Sequence, residues 1–185
     1  MKKMIIGLTG PMAAGHGVIA EYLKKKGFYY SSTSDRIREE CQRQGLEITR
    51  ENLQKLGDKL RFRFGPDILA KRTWKKVQKY PLSVIDSIRS LAEVEFLKTK
   101  PNFYLFGVTA SKKIRYQRLK ARNRESDPIT WKKFLMVDKK DFKSGQGKFG
   151  RNITACLKRT DLLLYNNKEV KDLEEKIEGW LLIFK

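Results

Sequence analysis

One stretch near the start of the chain restricts its possible folds more than any other. Met4-Ile5-Ile6-Gly7-Leu8-Thr9 is apolar almost throughout, the pattern of a strand covered on both faces of a parallel sheet. It is followed by Gly10-Pro11-Met12-Ala13-Ala14-Gly15-His16-Gly17-Val18, a turn of mostly small residues running into a helix. A turn in that position aims backbone N–H groups at one point, and the helix N-terminus adds its dipole. The product is an anion site suited to phosphates. Gly10 and Gly15 keep the G-x-x-x-x-G spacing of a phosphate-binding loop, where glycine lets the backbone approach a ligand without a Cβ intervening.

The loop departs from its pattern at the position that carries charge. His16 stands where the lysine belongs, and Gly17 where a hydroxyl residue follows. Imidazole is shorter than lysine and, with an ordinary pKa of about 6.5, mostly neutral at pH 7. Bound phosphates would raise that pKa and restore part of the charge. Loss of a positioned electrostatic donor costs about 10²-fold or more in rate.

The remainder alternates strand and helix. Apolar spacing predicts a helix over 15–26, ended by Gly27, and a short strand at 28–30. Ser31 to Asp35 has helix-capping character, and helices follow over 35–44, 49–64 and 67–79. A third strand over 82–86 ends on Asp86, and a helix covers 90–100. A fourth strand spans 103–108, with a helix over 111–122. The polar segment 123–150 contains a helix over 130–142 and a turn at 144–148, and its aromatics are read as local core. A helix at 152–158, a strand at 161–165 and an amphipathic helix over 169–184 close the chain. With no repeat and no long linker, this predicts one three-layer α/β domain with a five-stranded parallel sheet.

Composition narrows the partners. Lys and Arg total 41 against 21 Asp and Glu, a net charge of +20 that favours polyanions: nucleotides, nucleic acid or an anionic membrane. A single histidine and two cysteines without short spacing argue against a histidine metal site, a zinc knuckle or a disulfide framework. The first apolar run is too short for a signal peptide or membrane span, so the expectation is a cytoplasmic protein.

Other residues add chemistry to the loop. Asp86 is placed to order a Mg²⁺-bound water or activate an acceptor. Arg38 and Arg89 suit bidentate phosphate clamping. Arg115, Arg118 and Arg122 recur on one helix face, with Arg124 just beyond. Such a cluster repels itself without an anion. It suits charge developing on a transferred phosphoryl group, or a nucleic-acid backbone.

With these residues in view, the chain resembles the P-loop nucleoside and deoxynucleoside monophosphate kinases, relatives of adenylate kinase, with dephospho-CoA kinases a neighbouring branch. The similarity runs through Ile6-Gly7-Leu8-Thr9-Gly10-Pro11, Ser32-Thr33-Ser34-Asp35 with Ile37-Arg38-Glu39, and Asp86-Ser87-Ile88-Arg89 with Glu93. It continues in Arg118-Leu119-Lys120-Ala121-Arg122 and in Asp161 with Asn166. It looks closest to the kinase-like domains that occur alone or beside deoxycytidylate deaminases. The resemblance implies ATP and Mg²⁺ as cofactors, with Gly10, Pro11, Met12, Ala13, Ala14, Gly15, His16, Gly17 and Val18 around the donor phosphates. It implies an acceptor site with Asp35, Arg38, Arg89 and Arg124 on a helical arm at about 31–79, and a lid at about 123–150. His16, Asp86, Arg118 and Arg122 would carry catalysis, and Asp86 would reach the metal through water. Departures at His16 and Val18 leave two alternatives open: a non-catalytic nucleotide- or RNA-binding protein, and a dephospho-CoA kinase. The expected partners are nucleotides, without membrane, and the expected state is monomer or homodimer.

Overall fold

β1 (Met4–Thr9) lies at the centre of a parallel sheet with the order β2-β3-β1-β4-β5, where β2 is Tyr29–Ser32, β3 Leu82–Ile88, β4 Phe103–Thr109 and β5 Leu162–Tyr165. The computed structural model describes residues 3–122, 130–142 and 149–183. Every strand pairing is parallel, so the chain crosses over through helices each time, as the alternating sequence predicts.

The two faces of β1 are sorted by alternation. Ile6 and Leu8 point to a cluster with Ile19 and Leu23 of α1 (His16–Lys25) and Leu173 and Ile177 of α9 (Val170–Ile183). Ile5 points the other way. It joins Val77 of α4 (Ile68–Val77), Leu97 of α5 (Leu91–Lys98) and Cys156 of α8 (Ile153–Leu157). Both sides are fully buried, which is why β1 shows no polar alternation.

Between β2 and β3 the chain inserts α2 (Thr33–Arg43), α3 (Arg50–Phe64) and α4. They share a small core of Cys41, Leu56, Leu60 and Leu69, with Ile37 and Leu53 packed on it. After β4 come α6 (Lys112–Arg122) and α7 (Trp131–Phe142). Phe134 of α7 is buried against Leu119 and the loop residue Met12, as expected of a local-core aromatic.

Two of the boundaries that differ from the sequence reading bear on the site. β2 runs on through Ser31 and Ser32, so only the end of the polar run caps α2: Ser32 and Asp35 form a capping box. β3 does not stop at Asp86. It continues to Ile88 through an irregularity in its pairing with β1, where Gly7 faces Ile85 but Thr9 faces Ile88. Ser87 at this bulge has φ 65°. A bulge re-aims side chains beside it, and Asp86 is therefore directed by a strand distortion rather than by a strand end. The predicted turn at 144–148 lies outside the described residues.

Candidate active site

The loop from Gly10 to Gly15 sits at the C-terminal end of β1, in the crevice where strand order reverses between β3 and β4. Its glycines are obligatory for local reasons. Gly10 (φ 147°) would place a Cβ 2.0 Å from the Val108 carbonyl oxygen, and Gly15 (φ 121°) would place one 2.1 Å from Asn166 Nδ2. Ala13 takes a left-handed conformation, φ 59°, without being glycine. Strain of this kind costs about 1–3 kcal/mol and survives only where surroundings hold it.

The surroundings hold it through the loop's carbonyls. Asn166 Nδ2 donates to Ala14 O at 2.8 Å, and Arg118 Nη1 to the same oxygen at 3.4 Å. Arg115 Nη1 donates to Met12 O at 3.3 Å. The carbonyls are thereby turned away, and the amides of Met12, Ala13, Gly15, His16 and Gly17 have no acceptor among the described residues. Unpaired amides at a helix N-terminus are the donor set of a phosphate seat.

His16 is folded back into this seat. Its Nδ1 lies 3.7 Å from Asp86 Oδ1, its side chain is 13% exposed, and Nε2 is buried without a partner among the described residues. Burial holds the imidazole pKa below 6.5, reinforced by the Arg89 charge and opposed by Asp86. The ring is therefore neutral at pH 7. Asp86 Oδ1 accepts from the Ser87 amide at 2.5 Å, and Oδ2 accepts from the Tyr30 hydroxyl at 3.2 Å. Burial and the nearby carboxylates push the Tyr30 hydroxyl well up, so it remains a donor.

Among the described residues, no group of three His, Cys, Asp or Glu converges as a metal cage. Mg²⁺ at phosphoryl-transfer sites needs only one or two carboxylates beside substrate phosphates and water. Asp86 fits that role, whereas Gly17 and Val18 offer no hydroxyl.

Beyond the loop opens a cavity of about 350 Å³, lined by Met12, by Ser34, Ile37 and Arg38 of α2, by Gln54, Asp58 and Arg61 of α3, and by Ser87, Arg89, Arg122, Asp141 and Arg151 among others. Five arginines thus face two carboxylates. The carboxylates are not idle: Asp141, 2% exposed, accepts from Arg89 at 3.1 Å and from Arg151 at 2.7 Å. Arg61 reaches the buried Glu93 at 3.5 Å, and Glu93 also accepts from the amides of Arg89 and Ser90. The paired charges come from four separate parts of the chain, α3, the segment 89–93, α7 and Arg151, and their crossed pairing holds those parts in register.

Comparison with known proteins fixes the family. A family model described as an AAA domain matches residues 6–141. A UPF0200 protein of Thermococcus gammatolerans is 34% identical over 182 residues, covering 95% of this chain and 92% of that relative. The chain belongs to the UPF0200 family. A UPF0200 protein of Hyperthermus butylicus matches at 30% identity, covering 97% of this chain and 94% of its own length. The fold is shared with a shikimate kinase from Acinetobacter baumannii solved with shikimate (TM-score 0.64, 16% identity, 99% and 95% of the two chains). It is shared also with a putative kinase from Chloroflexus aurantiacus (TM-score 0.60, 13% identity, 97% and 98%). The UPF0200 chain thus has a P-loop kinase-like α/β fold.

In this UPF0200 chain the residues singled out by sequence separate into groups. His16 and Asp86 meet at the loop. Arg38, Arg89 and Arg122 meet at the cavity. Asp35 does not line it: its oxygens accept from the Ser32 amide and from Arg38, so it caps α2 and orients that arginine. The expected arginine cluster on α6 is split. Arg115 is 1% exposed and forms a two-point pair with Asp138 of α7 at 2.6 and 2.9 Å, so it is neutralised and needs no anion. Arg118 turns to Ala14 O and to Asn166, behind the loop. Arg124 lies outside the described residues. Sequence reasoning missed Arg61, Asp138, Asp141 and Arg151, whose partners are distant in the chain. Among the described residues, no helix is long and apolar enough to cross a membrane.

Proposed function

We propose that the chain transfers the γ-phosphoryl group of ATP to the phosphate of a nucleoside or deoxynucleoside monophosphate. The observation that carries the reading is the pairing of a loop whose amides are unclaimed with an adjoining cavity where arginines from different elements converge. A loop of that kind takes the donor's phosphates, and planar guanidinium groups suit an acceptor phosphate. The cavity is of mononucleotide size, at the lower end of small-molecule sites.

On this reading Gly10 to Val18 hold the donor phosphates, and Arg38 and Arg89 hold the acceptor's. Helices α2–α4 serve as the acceptor arm, and the segment with α7 as a lid that excludes water. Arg122 approaches from the lid side to neutralise charge on the moving phosphoryl group. Arg118 acts on the loop instead, fixing the Ala14 carbonyl so that neighbouring amides face the ligand. Mg²⁺, when bound with the nucleotide, would draw charge from the phosphates. Asp86 would hold one of its waters. No covalent enzyme intermediate is needed, because positioning and charge neutralisation supply the catalysis.

The neutral His16 makes this a weakened donor site. A coupled ATP assay over a panel of nucleoside and deoxynucleoside monophosphates, run on the natural chain and on His16→Lys, tests the reading. Turnover with one or more monophosphates, higher in the variant, is expected. No turnover by either chain with any acceptor would overturn it.

A further inference from the structure

A second hollow of about 360 Å³ lies among α2, α3 and α4, and it shares no residue with the cavity beside the loop. The two open on opposite faces of α3. Gln54, Asp58 and Arg61 face one side, whereas Leu56, Lys59, Leu60 and Arg63 fall about half a turn away on the other. Leu56 and Leu60 are buried at the floor of the second hollow, and Arg43, Lys59, Arg63 and Arg72 surround it.

Its charge is unbalanced. Glu40 is the one carboxylate among the lining residues, and it is already engaged by Arg43, Gln44 and, more loosely at 3.7 Å, Arg72. Those contacts, Arg43 first, hold its carboxyl down at about 2. Lys59 and Arg63 stand one turn apart on α3 with no carboxylate partner among the described residues, an arrangement that disfavours the helix unless an anion relieves it. Beside them Phe64 is 46% exposed, with the guanidinium groups of Arg63 and Arg72 over its ring at 5.1 and 5.5 Å.

We infer that this hollow is a seat for single-stranded nucleic acid, with backbone phosphates on Lys59 and Arg63 and a base stacked on the shelf of Phe64 and its arginines. Aromatic rings and guanidinium planes are the surfaces on which unstacked bases rest, and flanking cations follow the backbone. An acidic peptide would satisfy the cations but leave the shelf unused. A duplex keeps its bases stacked inside and cannot present one to a concave site. The seat lies apart from the loop, so it holds whether or not the chain turns over a monophosphate.

Fluorescence anisotropy of the full chain with a labelled single-stranded RNA of about 12 nucleotides, and with the matching single-stranded DNA and duplex, tests the inference. Titrations run from about 50 to 200 mM salt. Lys59→Ala/Arg63→Ala should weaken single-strand binding about tenfold and lower the log–log salt slope by about 1.4, the value for two phosphate contacts on a single strand. Phe64→Leu should weaken it about fivefold or more with the slope unchanged, because stacking releases no counterions. Lys112→Ala/Lys113→Ala removes equal charge from exposed positions on α6 and should change affinity less than twofold, about the weight of a diffuse charge effect. Preference between RNA and DNA identifies the natural source. Equal loss in the α6 variant, tighter binding of duplex, or no binding near physiological salt would each overturn the proposal.

Discussion

On the proposed function, the loop and the cavity next to it hold phosphate in different ways. At the loop the donors are backbone amides, and the side chain that should bring charge is a neutral, buried imidazole. In the cavity the donors are side chains, five arginines, with Arg38, Arg61, Arg89 and Arg151 paired to carboxylates of the chain itself. The loop is rigid because its carbonyls are tied down from behind by Asn166, Arg115 and Arg118. The cavity is ordered by ion pairs between side chains from distant parts of the chain. The geometry of the loop therefore does not depend on a cation at position 16.

The first way to break the comparison is to cut the support of the loop. Arg115→Ala leaves Asp138 buried and unpaired. It should cost about 3–5 kcal/mol in denaturant unfolding, whereas a joint change to Met at 115 and Leu at 138 should cost far less. If Arg115→Ala is neutral, the loop is held by something other than this pair. The next test restores charge. His16→Lys should raise turnover about 10²-fold, with little change in the acceptor's KM. A gain seen only in the acceptor's KM would mean that position 16 serves the cavity instead.

The converse test is smaller. Arg89→Gln should raise the acceptor's KM by about tenfold, the weight of one hydrogen bond to a charged group, and leave the KM for ATP unchanged. The smallest effect concerns pH. His16 is held neutral when folded, with its pKa below the unfolded value of about 6.5. The unfolded chain therefore binds the extra proton first as pH falls. His16 contributes stability that is full above pH 6.5 and lost as pH falls from there toward the depressed folded value. Denaturation midpoints measured across that window should fall in the natural chain and fall less in His16→Gln. Equal slopes would place the imidazole in water.

How much of this the sequence reveals depends on distance along the chain. The strand at 4–9, the loop after it and nearly every helix are set by local spacing and by glycine, and they stand where periodicity places them. The departure at His16 is visible in the sequence, but its neutrality is not, since that follows from burial and the Arg89 charge, which outweigh the pull of Asp86. Arg115, Arg118 and Arg122 share a face by helical geometry. What each one meets is decided by Asp138, Asn166 and the cavity, and no local pattern announces those partners. Asp86 stands out in the sequence by its place near a strand end. The bulge at Ser87 that aims it comes from pairing with β1 and is invisible in β3 alone.

The contact from Asn166 to the Ala14 carbonyl spans 152 positions of chain. During synthesis the first strand and helix emerge long before the latch on their connecting turn. A nascent polypeptide that stops short of Asn166 possesses every loop residue but lacks the shortest hydrogen bond to the Ala14 carbonyl. The shape of the loop thus waits on a residue made long after it, and on the proposed function nucleotide capture waits with it.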